Sequence, residues 1–207
     1  MSVFVKICGL TNEADALAAV AAGADAVGFM FYEASPRYVL PGRVREIVEV
    51  LPAGVAKVGV FVNAHPEAVR TAAALCGLDT LQFHGEESPE YCHQFAPLHV
   101  WKAMPVKDTT SLFRLTSFET AAWLLDACVP GLRGGTGAKF NWDLALKAKE
   151  LGRPIVLAGG LTPGNVAAAV RQVQPWGVDV SSGVESWPGR KDEAKVRAFI
   201  AAARGAA

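Results

Sequence analysis

Eight short apolar runs alternate with alanine-rich amphipathic stretches along this 207-residue chain, and that alternation does most to limit its fold. Strands are expected near Phe4–Cys8, Ala26–Phe31, Ala56–Val62, Thr80–His84, His99–Met104, Ala122–Asp126, Ile155–Ala158 and Val178–Ser181. Between them lie helical patterns such as Glu13–Ala22, Arg43–Val50, Pro66–Leu75, Leu144–Leu151, Gly164–Val173 and Asp192–Ala203. The fourth and fifth helices, Pro89–Phe95 and Thr109–Phe118, are expected to be short. Eight units in this length give about 26 residues each, the compact end of a (β/α)8 barrel. A doubly wound sheet shares the alternation, but the eightfold count favours closure. The expected fold is α/β, a single (β/α)8 TIM barrel spanning residues 1–207.

A near-repeat supports the reading. Gly23-Ala24-Asp25, Gly77-Leu78-Asp79 and Gly177-Val178-Asp179 each follow a helix pattern and open a strand. Glycine after a helix supplies a left-handed cap, so one tight αβ turn is expected three times. No linker or low-complexity stretch divides the chain.

Composition narrows the function classes. About half the residues are apolar, enough for a sizeable core, and 20 acidic residues balance 20 basic ones. With no basic run or acidic tail, neither a nucleic-acid partner nor an anionic membrane surface is expected. The first strand begins within two residues of Met1, so no signal peptide is expected. No apolar stretch approaches the ~18 residues a membrane span needs. Cys8, Cys76, Cys92 and Cys128 show no CxxC spacing, and the four His are scattered. No metal site is expected, and a reduced, cytoplasmic protein is.

Period two along a strand decides what faces the barrel interior. In the first strand Val3, Val5 and Ile7 share one side, while Phe4, Lys6 and Cys8 share the other. If the aliphatic side meets the helices, Lys6 and Cys8 point inward. The same parity sends Asp126 inward at the tip of strand six. A thiol and a carboxylate then face each other across the barrel's C-terminal mouth, where such folds carry their chemistry, as base and acid on opposite sides of a substrate. Each has a plainer reading as well. A free cysteine often fills space, and a strand-end aspartate often caps the following turn.

Four loops add to this pair. Gly159-Gly160 after strand seven and Ser181-Ser182-Gly183 after strand eight are suited to hold an anion through backbone N–H groups. A short helix is expected to begin near Ser182 and aim its positive end there. Arg37, in the loop after strand two, can grip a carboxylate with two parallel hydrogen bonds, or it can be a solvated surface arginine. The Arg133–Lys139 loop, rich in glycine, is a candidate lid over Asp126 or an ordinary connection. Gln82 and His84 share a face at the end of strand four and could line the pocket, although His84 suits a structural role equally well. Trp101, Trp123, Trp142 and Trp176 read as packing residues.

Taken together, these segments closely resemble the phosphoribosylanthranilate isomerases, barrel enzymes of tryptophan biosynthesis. The resemblance runs through Lys6-Ile7-Cys8-Gly9, Gly23-Ala24-Asp25-Ala26-Val27-Gly28-Phe29, Ser35-Pro36-Arg37-Tyr38, Gly59-Val60-Phe61-Val62-Asn63 and Gln82-Phe83-His84-Gly85. It continues through Leu125-Asp126, Gly134-Gly135-Thr136-Gly137, Gly159-Gly160-Leu161 and Asp179-Val180-Ser181-Ser182-Gly183-Val184-Glu185. Ala158, where serine is also familiar, and Asn141, where aspartate often stands, depart from the pattern. The resemblance implies an Amadori rearrangement of N-(5-phosphoribosyl)anthranilate with no cofactor or metal. Cys8 would be the base and Asp126 the acid. Arg37 would hold the anthranilate carboxylate, and Gly159, Gly160, Ser181, Ser182 and Gly183 the phosphate. It further implies a small-molecule phosphoribosyl substrate and a monomer or homodimer. A sister isomerase of histidine biosynthesis would be expected to carry an aspartate where Cys8 stands. A non-catalytic sugar-phosphate binder would need neither Cys8 nor Asp126.

Overall fold

The computed structural model describes residues 2–106, 108–126 and 142–207. Eight parallel strands close on themselves in chain order: β1 (Phe4–Cys8), β2 (Ala26–Met30), β3 (Ala56–Phe61), β4 (Thr80–Phe83), β5 (His99–Pro105), β6 (Ala122–Asp126), β7 (Ile155–Ala158) and β8 (Gly177–Val180). The helices between them are α1 (Glu13–Ala21), α2 (Pro41–Glu49), α3 (Pro66–Cys76), α4 (Pro89–His93), α5 (Thr109–Leu115), α6 (Trp142–Glu150), α7 (Val166–Val173) and α8 (Glu193–Arg204). The expected (β/α)8 barrel is therefore the observed one. The candidate lid at Arg133–Lys139 lies outside the described residues, as do Cys128 and Asn141. Among the described residues no helix is long and apolar enough to cross a membrane.

Helix starts follow from local chemistry. Pro41, Pro66 and Pro89 take the first helical position of α2, α3 and α4, where a missing N–H costs nothing. The side chains of Asn12, Ser88, Asp108 and Asp192 accept hydrogen bonds from backbone N–H groups in the first turns of α1, α4, α5 and α8. The fourth and fifth helices are indeed short, at five and seven residues.

The expected repeated turn holds in two of its three copies. Gly23 and Gly77 both have positive φ, 99° and 59°. After each, an aspartate clasps the preceding strand: Asp25 Oδ2 accepts from Val5 N, and Asp79 Oδ2 from Lys57 N, each at 2.8 Å. The aspartates' own N–H groups donate back to the Val5 and Lys57 carbonyls. The third copy differs. Gly177 already lies in β8, and the left-handed cap of α7 falls on Gln174, with φ 48°. Shifted by that register, Asp179 points into the barrel instead of across a turn.

Val5, Ile7, Val27, Phe29, Leu81, Phe83, Trp123, Leu125, Val178 and Val180 pack in the main core between sheet and helices. A separate interior cluster is formed by Trp101, Ala103, Ala122, Leu124, Val156 and Ala158, with Phe4 against it. Phe4 stacks on Trp176 at 4.5 Å and meets Trp101 edge-on at 6.0 Å. These rings plug the N-terminal end, so only the C-terminal mouth is left for chemistry. Trp176 differs from the expected buried packing residue in being 43% exposed on its outer side.

Two features were not expected beside the short helix near Ser182, which forms as a single 3-10 turn, Ser182–Val184. It leads into an antiparallel hairpin, β9 (Glu185–Trp187) and β10 (Arg190–Lys191). In addition, Lys102 points outward from β5 into a dry site. There its ammonium donates to the carbonyls of Phe83 and Gly85 and to Glu87 Oε2. Glu87 in turn accepts from Asn63 N and Gly85 N. This buried pair pins the segment from which His84 projects.

Candidate active site

Cys8 ends β1 and is 5% exposed, facing inward as parity requires. Gly28 sits opposite it in the β1–β2 register. A Cβ built on Gly28 would lie 2.8 Å from Cys8 Sγ and 3.0 Å from Lys6 Cε. The absent side chain is thus what lets thiol and lysine share one compartment. Lys6 is fully buried, and its ammonium lies 2.9 Å from Asp179 Oδ1. Burial pulls the Lys6 pKa down, but Asp179 and then Cys8 outweigh it and hold the lysine above its ordinary value. For Cys8 the balance is opposite. Burial is the largest influence and pushes the thiol up, Lys6 pulls it down, and Asp179 adds to the rise.

Asp126 ends β6 with its side chain 20% exposed. His84, one residue beyond β4, approaches it with Nε2 at 3.0 Å from Asp126 Oδ2. Gln82 Nε2 lies 3.1 Å from His84 Nδ1. An amide nitrogen only donates, so in this arrangement the imidazole proton sits on Nε2 and is donated to Asp126. Gln82 is 1% exposed, and its Oε1 has no partner among the described residues. Gln82, His84 and Asp126 thus form one chain across the mouth, a link that spacing in the sequence did not reveal.

Arg37 is not free to grip a ligand with its whole fork. Its Nε and Nη2 bind Glu185 Oε1 and Oε2 at 2.8 and 2.7 Å. A Cβ on Gly9 would meet Arg37 Cδ at 2.6 Å and Ser181 Oγ at 2.7 Å, and Gly9 has φ 73°. Glycine is required there for conformation and space alike.

The two anion-loop candidates adjoin each other. A Cβ on Gly183 would fall 1.9 Å from the Leu161 carbonyl oxygen, so the loops after β7 and β8 touch backbone to backbone. Gly159 and Gly160 both take positive φ, 78° and 68°. Asn165 shapes this loop by accepting from Thr162 N and donating to the Gly160 carbonyl. Ser181 Oγ is buried without a partner among the described residues, and Ser182 is exposed.

The sequence reading missed Asp179, Glu185 and Lys191. Asp179 was hidden by its likeness to the two turn aspartates. Glu185 and Lys191 lie in strands of three and two residues, too short to carry a period.

A sequence profile of the PRAI family, N-(5'phosphoribosyl)anthranilate (PRA) isomerase, matches residues 5–202. The chain belongs to the PRA isomerase family. It is 55% identical over 201 residues to the N-(5'-phosphoribosyl)anthranilate isomerase of Geotalea uraniireducens, covering 97% of this chain and 98% of that one. A crystal structure of the phosphoribosyl anthranilate isomerase from Thermotoga maritima superposes with a TM-score of 0.92 at 44% identity, covering 98% of this chain and 99% of that one. A PRA isomerase in complex with reduced 1-(o-carboxyphenylamino)-1-deoxyribulose 5-phosphate gives 0.88 at 43% identity, with the same coverage.

Proposed function

We propose that this chain acts as a phosphoribosylanthranilate isomerase in tryptophan biosynthesis, with Cys8 and Asp126 as its base and acid. The observation that carries the assignment is their placement at the carboxyl tips of β1 and β6, in the one end of the barrel that the aromatic plug leaves open.

The chemistry asks for both groups. Asp126 gives a proton to the ribose ring oxygen, the C1′–O bond breaks, and the nitrogen lone pair forms the C1′=N iminium. Cys8 as thiolate takes the C2′ proton, and the electrons return to nitrogen as an enolamine. Tautomerisation then moves a proton from the enol oxygen to C1′, leaving the ketone. C1′ is reduced and C2′ oxidised within one molecule, so the balance closes without an external oxidant.

In this reading Arg37 meets the anthranilate carboxylate, and the backbone of Gly159, Gly160, Ser181, Ser182 and Gly183 meets the phosphate. Gln82 and His84 line the acid's side of the pocket. As a biosynthetic enzyme acting on a free sugar phosphate, the protein would work in the cytoplasm. The test is incubation with N-(5-phosphoribosyl)anthranilate while following its anthranilate-type fluorescence. Catalysed loss with accumulation of the ketone is expected. Saturable binding with fluorescence unchanged would make the protein a binder and end the proposal.

A further inference from the structure

The hairpin β9–β10 buries two charges against Arg37. Glu185 and Lys191 have side chains 5% and 2% exposed. Glu185 Oε1 accepts from Arg37 Nε, from Lys191 Nζ at 2.9 Å and from Gly189 N, while Oε2 accepts from Arg37 Nη2. Lys191 Nζ also donates to the Ser181 carbonyl at 3.2 Å. One carboxylate therefore serves two cations, and the group, buried at Glu185 and Lys191 and partly open at Arg37, carries one positive charge in excess. Arg37 Nη1 has no hydrogen bond among the described residues.

Fastening the hairpin needs none of this. Thr11 Oγ1 donates to the Gly189 carbonyl, Lys191 N to Asp15 Oδ2, and Lys195 Nζ to the Glu185 carbonyl. An excess charge at so enclosed a site is costly and is tolerated where an anion comes to meet it. Had Arg37 and Glu185 been alone, they would have formed a neutral pair with little field left for a ligand. Burial would raise the Glu185 pKa, but Arg37 and Lys191 hold it below its ordinary value, so the carboxylate is charged.

We propose that Glu185 and Lys191 set the preference for an arylamine bearing a carboxylate. Glu185 fixes the Arg37 fork with Nη1 left over, and Lys191 keeps Glu185 from cancelling the arginine's charge. Both are positioning residues, and the inference rests on the reading of Arg37 given above.

The test compares two inert product analogues as inhibitors, reduced 1-(2-carboxyphenylamino)-1-deoxyribulose 5-phosphate and its phenyl counterpart lacking the carboxylate. Their sugar and phosphate are shared, so the ratio of their Ki values isolates the carboxylate. Wild type should prefer the carboxylated analogue, and Arg37→Met should abolish the preference. Lys191→Met should shrink it about tenfold, the factor that 1.4 kcal/mol represents, with the phenyl analogue's Ki within about twofold of wild type. Lys191→Arg should restore it. Should Lys191→Met fail to fold, Lys191→Gln removes the charge while keeping a donor toward Ser181 and Glu185, and the same result is expected. If Arg37→Met keeps the preference, the reading of Arg37 falls. If Arg37→Met loses it while the lysine variants keep it, or weaken both analogues equally, only the present inference falls.

Discussion

At the scale of single residues, the site turns on what a buried thiol needs in order to act as a base. Burial raises the Cys8 pKa, and Lys6, sharing its compartment beside Gly28, is the main opposing influence. Only the thiolate removes a carbon-bound proton, so kcat/KM should climb with pH through the alkaline range as the thiol ionises. Deleting Lys6 alone would strand Asp179 as a buried unpaired carboxylate, so the informative variant is Lys6→Met with Asp179→Asn. The lysine's pull on Cys8 exceeds the aspartate's push. The limb should therefore move to higher pH in the pair-deleted enzyme, with lower kcat/KM at neutrality. A pH–rate profile with the limb unmoved would remove Lys6 from the account.

At the scale of elements, the barrel reuses one αβ turn and then departs from it. Asp25 and Asp79 each make two hydrogen bonds to a preceding strand, one through the carboxylate and one through the backbone N–H, and Asp79 adds an ion pair with Lys57 at 2.9 Å. Asp79→Ala should lower stability by about 1–2 kcal/mol, the value of a lost hydrogen bond with its donor left unpaired. Chemical denaturation measures this, and kcat/KM should be unchanged because the turn lies at the end of the barrel away from Cys8. A stability equal to wild type would show that the clasp is redundant.

The same motif shows how far the sequence could be read. Gly-x-Asp identified all three strand starts. The sequence did not carry the register, and a shift of the cap from Gly177 to Gln174 turned Asp179 from a turn residue into the partner of Lys6. Parity placed Phe4, Lys6 and Cys8 correctly because Val3, Val5 and Ile7 leave one face no alternative to the helices. Glu185 and Lys191 escaped notice because a hairpin of three and two residues shows no alternation, and its partners, Arg37, Thr11 and Asp15, are distant in the chain.

At the scale of the whole molecule, the inside of the barrel is divided along its axis, apolar bulk at one end and ionisable side chains toward the other. Phe4, Trp101 and Trp176 close the N-terminal end, the first and last stacked and both meeting Trp101 edge-on. The ionisable groups of the interior and mouth lie toward the other: Lys6 with Asp179, Arg37 with Glu185 and Lys191, and His84 with Asp126. The division assigns stability to one end and reactivity to the other, and within the reactive end it sets the thiol apart from the acid. The central claim is that these two groups carry out the proton transfers while other residues hold the substrate. The most direct measurement is turnover of N-(5-phosphoribosyl)anthranilate by Cys8→Ala and Asp126→Asn, with binding of the reduced product analogue measured on the same samples. Each variant should lose at least ~10²-fold in kcat, the range of general acid–base catalysis, while binding the analogue nearly as well as wild type. Near-normal kcat in either variant would contradict the role given to that residue.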